Sequence, residues 1–272
     1  MKRKITFALA LIMLLSVCLC ACSSKESGEP ALATPRPTEE TYNLAMYYVS
    51  QGNYEMGYAA LLTIKDYDKA AEALEDFHYL PGQIATRAKG ETNPDNYDIM
   101  TYSYGNGGLL LERTLTESGI TISTEVFKYE DDLLKTSSYS GNGLASYESS
   151  YTFDGEGRLI EVFKKDKEEN FGKIVYTYDS KGNVVTEEKT DFKGVVTLSK
   201  FSFDKDGKLT DKRSYQTVDG AEKLVSKCEY IYNEKGILHG AELTVDGKVT
   251  EIGYSSNRLY YNPNYRDLML YY

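Results

Sequence analysis

The chain has 272 residues, a formal charge of −10, four cysteines, two histidines, 25 tyrosines and no tryptophan. An acidic balance of this size argues against nucleic acid as the partner, because neutralising phosphates takes clustered Lys and Arg. The abundance of tyrosine points to β structure, where aromatic rings suit a pleated, half-buried surface.

In chain order the first element is a leader. Lys2, Arg3 and Lys4 precede an apolar run from Ile5 to Val17, a basic start and hydrophobic core that fit a secretory signal too short to need a membrane span. The run ends at Leu19-Cys20-Ala21-Cys22, which resembles the lipobox of bacterial lipoproteins. The resemblance implies a signal peptide over 1–21, cleavage before Cys22, lipid on the Cys22 thiol, and a chain held on the extracellular face of the cell membrane by that lipid. An uncleaved anchor and an ordinary signal peptide are the alternatives. With Cys22 lipidated, Cys228 is the one remaining thiol of the processed chain, so no disulfide framework is expected. Residues 22–40, rich in Ser, Pro, Thr and Glu without aromatics, bury too little surface to offset chain entropy and read as a flexible linker.

Residues 41–90 read as helical. Leu44, Tyr47 and Tyr48 fall on one helical face, and Gly52 suits the C′ position. Asn53 suits the N-cap of a second helix with Tyr54, Tyr58, Leu61 and Leu62, and Asp66 that of a third with Tyr67, Ala70, Ala71, Leu74 and Phe77. Pro81-Gly82 is a stop. The stretch from Gly52 to Ala60, echoed by Asp66-Tyr67 and Ala70, resembles tetratricopeptide-type helices and implies a packing style. A role capping one end of the following sheet fits the need of repeat stacks for terminal caps.

From Tyr97 the helical period gives way to aromatic-x-aromatic pairs: Tyr102/Tyr104, Phe127/Tyr129, Tyr151/Phe153, Tyr176/Tyr178, Phe201/Phe203 and Tyr230/Tyr232. Their starts lie 25, 24, 25, 25 and 29 residues apart, a spacing that signals a repeat architecture. In the clearest unit Ile174, Tyr176 and Tyr178 alternate with Val175 and Thr177, Asp179 offers a turn-forming carboxylate, and Gly182 supplies positive φ. Each unit predicts two antiparallel strands and two turns. The fold class is α+β, mainly β: a helical N-terminal region, then an antiparallel meander of about six 25-residue hairpin repeats over 97–272, curved or spiralling because flat sheets of a dozen strands are rare. Tyr176-x-Tyr178-Asp179-x-x-Gly182-x-Val184 and its kin at Tyr151, Phe201 and Tyr230 resemble the YD repeats of the Rhs family. The units at Tyr102 and Phe127 depart from that pattern, with Gly105 in place of Asp and Asp132 in place of Gly.

Chemistry is sparse. His78 and His239 stand far apart, no zinc, phosphate-loop or nucleophile-elbow motif occurs, and Asp204-x-Asp206-Gly207 lacks the ligand set of a calcium loop. Neither a cofactor, a metal nor a catalytic residue is expected. Paired carboxylates such as Asp131/Asp132 and Glu187/Glu188 read as solvated charges. The tail tyrosines Tyr260, Tyr261, Tyr265, Tyr271 and Tyr272 read as edge cover or as an aromatic platform. The leading functional expectation is a non-catalytic binding module for a glycan, a wall polymer or a surface protein, with Tyr151, Tyr176, Tyr178, Tyr230 and Tyr232 as candidate ligand-binding rings. A structural or adaptor lipoprotein and a cell-envelope glycoside hydrolase are the alternatives.

Overall fold

The computed structural model describes residues 38–142, 146–255 and 257–262. The leader, Cys22, residues 23–37 and Tyr265, Tyr271 and Tyr272 lie outside the described residues.

Three helices open the described chain: α1 (Thr38–Ser50), α2 (Tyr54–Leu62) and α3 (Asp68–Glu75). Gly52, at φ 72°, ends α1 in a Schellman motif, with the Gly52 N–H donating to Val49 O and the Asn53 N–H to Tyr48 O. Asn53 occupies the N-cap of α2 without a side-chain capping bond, and Tyr67, not Asp66, stands at the N-cap of α3. The first two helices cross closely at Gly57, where an added Cβ would lie 2.7 Å from Val49 Cγ2 and 3.1 Å from the Ala45 carbonyl. Helix α1 also begins inside the stretch expected to be linker.

The helical region ends at Glu75 rather than near residue 90. Two short strands follow, β1 (Phe77–Leu80) and β2 (Gln83–Ala88), and then β3 (Asp98–Tyr104), β4 (Leu110–Glu117), β5 (Ile120–Glu130), β6 (Leu133–Gly141), β7 (Tyr147–Phe153) and β8 (Leu159–Asp166). The chain continues through β9 (Phe171–Tyr178), β10 (Val184–Thr190), β11 (Val196–Phe203), β12 (Leu209–Val218), β13 (Ala221–Tyr232), β14 (Leu238–Val245), β15 (Lys248–Ser255) and β16 (Arg258–Tyr261). Strands β2 to β15 form one antiparallel meander whose ends join, Gln83 opposite Ser255 through Ala88 opposite Thr250, so the sheet closes into a barrel. Closure removes the unpaired edges that a long open meander would carry. Strands β1 and β16 make a separate antiparallel ribbon, Phe77 opposite Tyr261 and Leu80 opposite Arg258.

The aromatic pairs all fall on odd-numbered strands, β3 to β13, and face inward. Ile174 and Tyr176 are buried, Val175 between them is half-buried, and the flanking Lys173 and Thr177 are exposed. Two interior clusters result, one around Leu159, Val162, Tyr176 and Phe201, the other around Tyr102, Leu110, Phe127 and Leu134. Each fully buried ring or branched side chain contributes roughly 1.5–3 kcal/mol. A third cluster, Ala45, Leu61, Ala70 and Ala73 with Phe77 and Tyr261 against it, seats the helices on the ribbon. The outer wall carries Ser, Thr and cross-strand ion pairs, among them Lys173–Glu161 at 2.6 Å, Arg87–Glu251 at 2.8 Å and Lys200–Glu222 at 3.1 Å. The strands also expose Ile120, Val126, Phe163, Phe171, Val196 and Ile231, and the interior holds Glu125 and Glu187 beside its apolar clusters.

Candidate binding cavity at the barrel mouth

One mouth of the barrel is built from a repeated turn. The side chains of Asp154, Asp179, Asp204 and Asn233 each accept, at Oδ1, the backbone N–H groups two and four residues on, at 2.8–3.0 Å. The glycine three residues on from each takes φ between 73° and 88°. The Asn183 amide and these N–H groups hold the Asp179 carboxyl below the usual range. The motif carboxylates thus shape the backbone, as Asp179 and Gly182 suggest in sequence. The same arrangement recurs at the opposite mouth around Asp166 and Asp191, with Glu169 at φ 67° in the glycine position of the first.

A second repeated contact ties neighbouring hairpins. The hydroxyl of Tyr129 donates to Leu110 O at 2.9 Å, that of Tyr178 to Leu159 O at 2.6 Å, and that of Tyr232 to Leu209 O at 3.0 Å. The corresponding residues of the intervening hairpins are Phe153 and Phe203, which have no hydroxyl. Above two of these tyrosines sits a cation from the turn of the preceding hairpin, Arg158 at 5.0 Å from the Tyr178 ring centre and Lys208 at 5.6 Å from that of Tyr232.

The β1–β16 ribbon, reached through Pro81 and Gly82, lies over this mouth. Between ribbon and mouth lies a half-open cavity of about 780 Å3, with Tyr58, Phe77, His78 and Leu259 on the ribbon and helix side and Leu159, Val184, Leu209, Tyr178 and Tyr232 on the barrel side. Burial lowers the pKa of His78, opposed by the charge of Asp76. Of the candidate rings, Tyr178 and Tyr232 therefore line the cavity, with hydroxyls engaged and one ring face under a cation. Tyr151, Tyr176 and Tyr230 stand inside the barrel, where burial raises the pKa of Tyr151 to about 12 and also raises that of Tyr230. The structure separates the two histidines: His78 faces the cavity and His239 is exposed on β14.

Deeper in the barrel lie two polar networks. Arg113 donates to Glu125 at 2.6 Å, Glu125 accepts from Ser137, and Ser137 lies 2.9 Å from the Tyr151 hydroxyl. Lys212 donates to Glu187 at 3.0 Å, and Ser199 bridges Glu187 and Ser214. Glu187, expected as a solvated charge, is buried because a bulge between Val184 and Thr186 shifts the alternation of β10 and turns it inward opposite Tyr176, whereas Glu188 is exposed. Between the networks Lys164 lies 5.1 Å from the Tyr147 ring centre, and burial lowers its pKa to about 8.

No family model matches this chain, and no curated protein does. Among solved structures it is similar to a porin-like protein from Bacteroides uniformis, with 12% identity over 64% of this chain and 96% of that one, at a TM-score of 0.39. A porin-like protein from Bacteroides vulgatus matches with 11% identity over 68% of this chain and 100% of that one, at 0.42. In the TcdB2-TccC3-Cdc42 complex the match has 14% identity and a TM-score of 0.28, covering 61% of this chain and 10% of that chain. At such scores these likenesses carry no argument about fold or function.

Proposed function

We propose that the chain is a non-catalytic binding module of the cell envelope, tethered to the membrane by lipid on Cys22, and that its ligand enters the cavity under the β1–β16 ribbon. The half-open cavity of about 780 Å3 at the barrel mouth carries this reading, since ligand sites are concave, mostly apolar and about 300–1,000 Å3. The ligand is an envelope component: a glycan, a wall polymer, a segment of a surface protein or an envelope lipid. The interior carboxylates support a non-catalytic role, because Glu125 and Glu187 are each neutralised by a cation, and the turn aspartates are engaged by backbone. A hydrolytic pair would need two carboxyl groups free to act on one bond.

The test uses Asn183→Trp. Position 183 corresponds in the turn to Arg158, Lys208 and Ile237, so it tolerates long side chains and places the indole in the cavity. Isolated wall polymer and envelope lipid extract should be retained by the parent chain and released by the folded variant. Equal retention by both would move the site elsewhere, and turnover of a glycan or peptide would refute the non-catalytic role.

A further inference from the structure

We infer that the mouth cavity takes an acidic amphiphile: one carboxylate or phosphate head with an apolar tail. This inference rests on the reading of the cavity as the ligand site and names the chemistry that it accepts. Three cations line the cavity, and they differ in their partners. Arg158 is neutralised by Asp154 at 2.7 Å and Glu156 at 2.9 Å. Lys208 and Lys235, on successive turns, have no carboxylate within ion-pair distance among the described residues. Lys208 is nonetheless held in place, with its ammonium over the Tyr232 ring and close above Gly236, where an added Cβ would come within 2.7 Å of Nζ. In a chain of net charge −10, two uncompensated ammonium groups beside one cavity are a local attractor for a single anionic group.

Most of the remaining lining is apolar, with His78, Asn183 and Asn257 as its polar groups. Leu159, Val184 and Leu209, the aliphatic positions of three hairpins, form the floor and are almost wholly buried, while Phe77, Leu80 and Leu259 supply the roof. The hydroxyls of Tyr178 and Tyr232 are already donated to backbone carbonyls. A saccharide pushed past the lysines would find only His78, Asn183 and Asn257 for its many hydroxyls and leave most of them without partners, which is costly, whereas an alkyl or isoprenoid tail meets carbon of the floor and the roof.

Photolabelling tests this. Membranes carrying the full chain are exposed to a diazirine-bearing palmitate, and cross-linked peptides are mapped by mass spectrometry. Label is expected on 77–81 and on the 232–238 turn. Palmitate should compete; hexadecanol, which keeps the tail without the acid, and acetate, which keeps the acid without the tail, should not. Lys208→Met with Lys235→Met should cut labelling at least tenfold, and Lys208→Arg should preserve it. Equal competition by hexadecanol, or undiminished labelling of the folded double variant, overturns the acidic head; if Asn183→Trp still abolishes the label, the cavity remains the ligand site. Labelling indifferent to Asn183→Trp, or confined to the outer wall, overturns both readings.

Discussion

Replacing Tyr178 by Phe removes one hydroxyl and leaves the shape of the barrel wall intact. Its 2.6 Å bond to Leu159 O is the shortest of the three latches, and Leu159 is 1% exposed, so water cannot take over the carbonyl. A buried carbonyl left unmade costs about 1–3 kcal/mol. With a urea slope of about 2 kcal/mol per molar, a loss of about 1.5 kcal/mol lowers the midpoint by about 0.7 M at unchanged slope. The reciprocal change is more discriminating. Phe203 occupies the latch position opposite Val184, as Tyr178 does opposite Leu159, so Phe203→Tyr should add the missing bond and raise the midpoint by about 0.5 M, from a net gain near 1 kcal/mol. Urea unfolding followed by tyrosine fluorescence and circular dichroism reads both variants. An unchanged midpoint for Tyr178→Phe, or a lowered one for Phe203→Tyr, would refute the latch as a repeated stabilising device.

Gly182 has φ 88° with open space around an added Cβ, so Gly182→Val should destabilise by about 1–3 kcal/mol through backbone strain alone, read as a lower urea midpoint. Gly57→Leu should expel α2 from α1, costing about 1–3 kcal/mol and lowering the helical dichroism while strand signal persists. Burial lowers the folded pKa of Lys164 to about 8, well below that of a free lysine, so the folded barrel disfavours its charged form. That penalty is complete below pH 8 and fades as the pH rises towards the unfolded pKa. Lys164→Met should therefore stabilise the protein at pH 7 by up to about 3 kcal/mol, with the gain shrinking by pH 9.5 in urea titrations; a gain that grows with pH would contradict the assignment.

Much of the barrel is legible in the chain because its information is local. The alternation around Tyr176 sets one face of β9 inward, and Asp179 with Gly182 sets its turn. Tight hairpins are equally local: Ser118-Gly119, Asp219-Gly220 and Asp246-Gly247 take two successive positive φ values, the pattern of turns matched to strand twist. The non-degenerate surprise is Asp131-Asp132, which forms the same tight turn without any glycine. What stays hidden is decided by partners distant in sequence. Residues 77–88 follow directly on a helix, and Phe77-x-Tyr79, an aromatic pair 25 residues before Tyr102, reads equally as the end of that helix; they become strands because 258–261 and 250–255 pair with them. Closure, and with it the cavity joining Tyr58 to Leu259, depends on the same seam. Inward orientation of Glu187 follows from the bulge between Val184 and Thr186, because unbroken alternation from the inward Val184 would turn it outward.

Hydrogen–deuterium exchange along the β2–β15 seam, with and without palmitate, tests the central claim most directly. Amides of 83–88 and 250–255 should be protected as strongly as those of the β9–β10 pair, and added palmitate should slow exchange at 77–82 and in the 203–209 and 232–238 turns. Rapid exchange at the seam, or slowing confined to the outer wall, would contradict a closed barrel with its ligand site under the ribbon.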